Sequence, residues 1–130
     1  MRIHGHDLRL KKRIATWLYY NIAIHLPISY KGFIGKIGSL CRYHLCRVIF
    51  EHCGKNVNIE HGAKFGLGLK IRIGDNSGLG VNCNIPDGTV IGNNVMMGPN
   101  CYVHKRNHKF DRLDIPMNKQ GYSECKSLVI

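Results

Sequence analysis

Apolar positions recur along this chain with two different periods, and the switch between them divides it. Over residues 8–26 and again over 37–50, large apolar residues keep helical spacing. The first stretch predicts a helix that stops at Pro27, whose ring blocks a continuing helix and which has no N–H to give it. In the second, Ile37, Leu40, Cys41, Leu45, Val48 and Ile49 form one stripe, with Arg42 and Arg47 away from it. Apolar sides are expected to pack on the rest of the chain and basic ones to face outward. "ISYKGFIGKIG" between them reads as a glycine-containing connection.

From Cys53 the period becomes six. The hexads are CGKNVN, IEHGAK and FGLGLK, a two-residue insertion IR, then IGDNSG, LGVNCN, IPDGTV, IGNNVM and MGPNCY. The first position is nearly always large and apolar: Cys53, Ile59, Phe65, Ile73, Leu79, Ile85, Ile91, Met97. The fifth is mostly small: Val57, Ala63, Leu69, Ser77, Cys83, Thr89, Val95, Cys101. The fourth is only Asn or Gly: Asn56, Gly62, Gly68, Asn76, Asn82, Gly88, Asn94, Asn100.

That fourth position carries the most information. Asn and Gly enter the left-handed backbone region at least cost. A left-handed residue every six positions means a sharp turn every six. The short straight pieces between turns then pair with equivalent pieces one coil away, as parallel strands. An α-helix is excluded, since six is not its period and Gly or Asn would weaken every turn. Residues 1–52 therefore read as a helical segment and 53–130 as a solenoid β-helix domain.

Charge changes the picture of the first part only. Residues 1–50 hold Arg2, Arg9, Lys11, Lys12, Arg13, Lys31, Lys36, Arg42 and Arg47 against the single acid Asp7, which is +8 of the formal net +11. An anionic partner surface is implied, lipid headgroups before nucleic acid, because the basic helices lack interleaved aromatics. The six cysteines have no framework spacing and read as reduced thiols of a cytoplasmic protein. The run Ile14–Leu26 is too short to span a bilayer and no small-residue cleavage site follows it. "CRYHLC", residues 41–46, lacks a fourth ligand, so no metal is expected.

With its large aliphatic, its Gly and its Asn-or-Gly before a small residue, the repeat resembles the hexapeptide-repeat acyltransferases. The N-terminal helices and the loop resemble sugar O-acetyltransferases of the maltose, galactoside and capsule or O-antigen type. The resemblance implies a mostly β chain: a left-handed parallel β-helix of triangular section, three hexads per coil, preceded by two α-helices. It implies acetyl-CoA as co-substrate, a sugar hydroxyl as acceptor, a role in cell-surface polysaccharide synthesis, and a homotrimer. Relatives continue for several hexads beyond the position of Ile130, and those coils carry much of the CoA face. The chain is therefore expected to be C-terminally incomplete and, in this form, to have little activity.

The repeat breaks at "VHKRNHKFD", residues 103–111. In the family a loop leaves the coil here and carries the catalytic histidine, five residues after the last closing aliphatic. That aliphatic is Val103, which makes His108 the general base of a loop spanning about 103–124. An imidazole that titrates near neutrality is suited to take a proton from an attacking hydroxyl. The family also carries Asn-x-Asn for the acceptor; Gly80-Val81-Asn82 keeps the second, so Asn82 is a substrate-binding candidate. Asp111, and less so Asp114, are candidates for orienting His108 or binding sugar hydroxyls. Asp87 lies one residue from the family's acidic acceptor position. Cys83 and Cys101, at inward positions, are expected to be buried and inert. The competing reading is a non-catalytic β-helix module that binds a membrane or partner through its basic N-terminus.

Overall fold

In the computed structural model, which describes residues 2–104, 109–122 and 128–130, two α-helices lead into a parallel coil. Helix α1 covers Arg2–Asn21 and α2 covers Gly32–Ile49. Between them a 3₁₀ turn, Ala23–His25, carries the chain to Pro27. The first helix thus stops short of the expected point, and the second begins inside the expected connection.

The coil has three faces. On the first, β1 (His52–Cys53), β3 (Arg72–Ile73) and β5 (Val90–Ile91) pair in parallel, in that order. On the second, β2 (Asn58–Ile59) pairs with β4 (Gly78–Leu79), and Gly78 bridges on to Met96. On the third, Lys64 bridges to Asn84 and Asn84 to Tyr102. Arg72 to Val90, Gly78 to Met96 and Asn84 to Tyr102 are each 18 residues apart, three hexads per turn. The lower pairs, such as Asn58 with Gly78, are 20 apart, the excess being the two inserted residues.

The predicted left-handed positions are all left-handed. Asn56, Asn76, Asn82, Asn94 and Asn100 have φ between 56° and 59°, and Gly62, Gly68 and Gly88 also have positive φ. First-position side chains stack inside in three columns: Cys53–Ile73–Ile91, Ile59–Leu79–Met97 and Phe65–Ile85–Val103. Full burial of each Ile or Leu is worth about 1.5–3 kcal/mol. So much of each hexad is turn that strands are only two residues long, and the 20- and 18-residue helices hold more residues than the strands do. The β character of the chain lies in its architecture and not in its strand content.

One inward assignment shifts. Leu69 is 41% exposed, and Ile71, fully buried, sits two residues before Ile73 as Thr89 sits before Ile91. The insertion moves the inward role from Leu69 to Ile71 and leaves Leu67 and Leu69 on an outward bulge.

The helices cover the first coil by a route the apolar stripe of α2 did not predict. Ile37, Leu40, Cys41 and Val48 are exposed, and the buried residues of α2 are Gly35, Gly38, Arg42, Cys46 and Ile49. Gly35 and Gly38 lie against the backbone carbonyls of Ile28 and Pro27. This close approach brings Arg42, fully buried, into the turn between the helices. Its Nε donates to Ile59 O at 2.5 Å, Nη1 to Ala23 O and Leu26 O at 3.3 and 2.9 Å, and Nη2 to Pro27 O at 3.0 Å. From α1, Tyr19 Oη donates to Ala63 O at 2.5 Å, and its ring lies 4.7 Å from that of Phe65. Tyr20 Oη donates to Gly66 O at 2.6 Å and accepts from Phe65 N–H at 3.1 Å.

Coils also meet through glycine. A methyl group on Gly80 would run into the carbonyls of Gly98 and Met97, whereas one on Gly98 would meet nothing. Gly80→Ala is therefore expected to lower stability by roughly 1–3 kcal/mol, and Gly98→Ala to be near neutral. Urea unfolding midpoints of the two variants check this; equal shifts would contradict the stacking.

Candidate functional site

The last inward residue before the break is Val103, whose N–H donates to Asn84 O at 2.9 Å. The chain then leaves the coil and returns at Leu128–Ile130, laid on β5: Val90 N–H donates to Leu128 O at 2.8 Å, and Gly92 N–H to Ile130 O at 2.7 Å. Val129 bridges Val90, so Ile130 takes the place above Ile91 that the first position of a new hexad requires. The departure thus starts and ends on the coil itself.

Within the loop, Gln120 holds residues 109–122 together. Its Nε2 donates to Arg112 O and Ile115 O, both at 2.7 Å, and its Oε1 accepts from Arg112 N–H at 3.2 Å. Lys109 N–H donates to Gly121 O at 2.9 Å, closing the segment at its ends. Arg112 grips Asp114 with two bonds, at 3.1 and 2.6 Å, which hold the Asp114 carboxyl below its usual range. That carboxylate is committed to the guanidinium.

His108 lies outside the described residues. Asp111 is exposed on the loop. Asn82 is exposed at a coil corner, with φ 56° and its N–H donating to His61 O at 3.0 Å, the geometry of a turn residue. Asp87 stands at a different corner, where its Oδ1 accepts from Lys70 N–H and Gly88 N–H, both at 2.9 Å. Asn82 and Asp87 thus belong to different corners of the coil in this chain. The structure supplies a turn-building reason for each.

Cys83 is buried and Cys101 half-buried. Burial, reinforced by the neighbouring Cys101, pushes the Cys83 thiol up to about 11, so it carries no appreciable thiolate at neutral pH. Burial likewise lifts Cys53 to about 11. Neither is a ready nucleophile. Among the described residues, no group of three or more His, Cys, Asp or Glu side chains gathers as a metal site.

One feature escaped the sequence reading. A groove of about 540 Å³ runs along the second face, with Asn58, Glu60, Ser77 and Met97 in its walls and Tyr30 at its rim. Glu60 occupies a second hexad position, where Gly54, Gly66, Gly74, Gly80, Gly92 and Gly98 stand elsewhere and Pro86 is the other exception. An acid in a glycine column was the signal. Its carboxylate accepts from Ser29 N–H at 3.1 Å, from Ser29 Oγ, and from Asn58 Nδ2 at 2.6 Å. Burial raises its pKa, but those donors, with Arg42 nearby, outweigh burial and lower it. Glu60 is thus an anion that ties the inter-helix turn to the coil, and it is not poised as a base.

A family model described as bacterial transferase hexapeptide (six repeats) matches residues 70–105, the stretch in which the coil advances by 18 residues per turn. No curated protein and no solved structure gives a significant match to the chain.

The depressed Glu60 carboxyl has a signed consequence for stability. Its contribution is present above the ordinary carboxyl value of 4.5 and is lost as pH falls through the lower folded value. Glu60→Gln is expected to cost about 1–3 kcal/mol at pH 7 and progressively less toward pH 3. Urea midpoints at the two pH values measure this; a penalty that does not change with pH would contradict the anionic tie.

Proposed function

We propose that the protein is an acyltransferase, specifically an O-acetyltransferase that moves the acetyl group of acetyl-CoA to a sugar hydroxyl, with His108 as general base. The observation that supports this most is the combination of a three-hexad coil, matched by the bacterial transferase repeat over residues 70–105, with a loop that leaves at Val103 and rejoins at Leu128. Such a coil is a rigid frame with all its side-chain stacks inside. A loop that departs and rejoins in register gives it one place for chemistry.

In this reading the His108 imidazole accepts the acceptor hydroxyl's proton as that oxygen attacks the thioester carbonyl. Backbone N–H groups hold the tetrahedral oxyanion. Collapse expels the CoA sulfur, which takes the proton back from the imidazolium, leaving an acetyl ester and free CoA. Asn82, Asp111 and Asp87 stand as acceptor contacts only if a second copy of the chain brings their corners and loop together. The reading includes left-handed winding, a homotrimer and a cytoplasmic setting in polysaccharide synthesis. Phe110, Leu113, Met117 and Met96 are exposed large apolar side chains on the loop and outer coil, and subunit contact would cover them.

Acetyl transfer to a panel of sugars, followed as free thiol released, tests the proposal in the full-length protein. His108→Ala is expected to reduce kcat at least a hundredfold with little change in KM for acetyl-CoA. Equal rates in parent and variant would remove His108 from the mechanism. Absence of transfer or acetyl-CoA binding in the parent would favour the binding-module reading.

A further inference from the structure

A groove of about 810 Å³ runs between α1 and the bulge made by the coil's two-residue insertion. Its helix wall presents Arg9, Lys12, Arg13, Leu10 and Trp17, and its coil wall is Leu67 and Leu69. Leu10, Trp17 and Leu67 are 49%, 61% and 64% exposed, high for large apolar residues that share one concavity. Among the described residues, no acidic one lines it. Asp7, the only acid of α1, pairs with Lys11 at 3.6 Å, and neither side chain faces the groove. Lys12 donates to Ile49 O at 3.2 Å, and an ammonium has further donors to offer beside that bond.

We infer that this groove docks the chain flat on the surface of an anionic lipid bilayer. Arg9, Lys12 and Arg13 meet lipid phosphates, and Trp17, Leu10, Leu67 and Leu69 enter the boundary between headgroups and acyl chains. The two chemistries have to be satisfied together. A soluble polyanion would neutralise the cations but leave four large apolar side chains in water. A bilayer surface offers negative charge above and hydrocarbon just below, at the depth an interfacial amphipathic helix reaches. Trp belongs at that boundary, its ring apolar and its N–H wet. Arg and Lys stems extend along apolar surface while their heads stay with phosphate. No helix among the described residues is long and apolar enough to cross a membrane, so the contact is with the surface. The inference holds whether or not the coil transfers an acyl group.

Trp17 is the chain's single tryptophan, so fluorescence excited selectively at tryptophan, away from the tyrosines, reports on this groove. The chain is titrated with vesicles of phosphatidylcholine and with vesicles of equimolar phosphatidylcholine and phosphatidylglycerol. A blue shift and co-sedimentation are expected with the anionic vesicles only, weakening as salt rises. Arg9→Gln and Arg13→Gln should each reduce the partition coefficient about fivefold. Leu67→Ser should reduce it with no change in salt dependence. Circular dichroism checks that each variant stays folded, and Lys12 is left alone because it also caps α2. Equal binding to neutral vesicles, no blue shift, or parent-like binding by both arginine variants would overturn the inference. So would an equal blue shift with a single-stranded oligonucleotide, which would mark the groove as a nucleic-acid surface.

Discussion

The whole coil depends on one backbone conformation repeated every six residues. At the fourth position of each hexad the chain takes positive φ, at Asn56, Gly62, Gly68, Asn76, Asn82, Gly88, Asn94 and Asn100. A side chain that resists this region costs about 1–2 kcal/mol at each occurrence. Asn and Gly resist it least. Each such turn swings the next strand onto the next face, and after three turns the chain is above itself and in register. From that follow the parallel pairing, the two-residue strands and the three inner columns. The asparagines add a ladder of their own: Asn56 Nδ2 donates to Asn76 Oδ1 at 3.1 Å, and Asn76 Nδ2 to Asn94 Oδ1 at 3.2 Å.

A coil built this way has an open first turn, and the N-terminal helices close it. They do so with polar anchors inside apolar packing. Arg42 gathers carbonyls from the inter-helix turn and from β2, while Glu60 takes the donors of Ser29 and Asn58 beside it. Burying a guanidinium is costly unless its donors are met. Here several carbonyls converge on it, and a nearby carboxylate offsets part of the cost. The turn between the helices is irregular, so its carbonyls need donors from elsewhere. Arg42 supplies them from one side chain.

The repeat was legible nearly residue by residue, because its constraint acts on the backbone and admits few residue types. The insertion was legible as an insertion, but the exchange of Leu69 for Ile71 was not, since both are large and apolar and only register decides between them. The helices were legible as helices and misread as to face. Apolar spacing pointed to Ile37, Leu40 and Val48, whereas the side that packs is the one whose glycines let two backbones meet. A buried arginine that serves carbonyls leaves no hydrophobic signal. Of the candidate site, Asn82 was legible as a turn residue of the repeat, whereas the corner role of Asp87, capping the N–H groups of Lys70 and Gly88, emerged only with the structure. His108 stands on the loop spacing and the family resemblance, which no backbone constraint reinforces.

The coil rests on left-handed turns, and Asn94 tests them most directly. It is exposed, has φ 59°, and accepts one hydrogen bond from Asn76. Replacing it by Gly or by Val removes that bond equally, so the difference between the two variants isolates backbone conformation. Chemical unfolding is expected to place Asn94→Gly within about 0.5 kcal/mol of the parent and Asn94→Val at least about 1–2 kcal/mol lower. A valine variant as stable as the glycine variant would contradict the account.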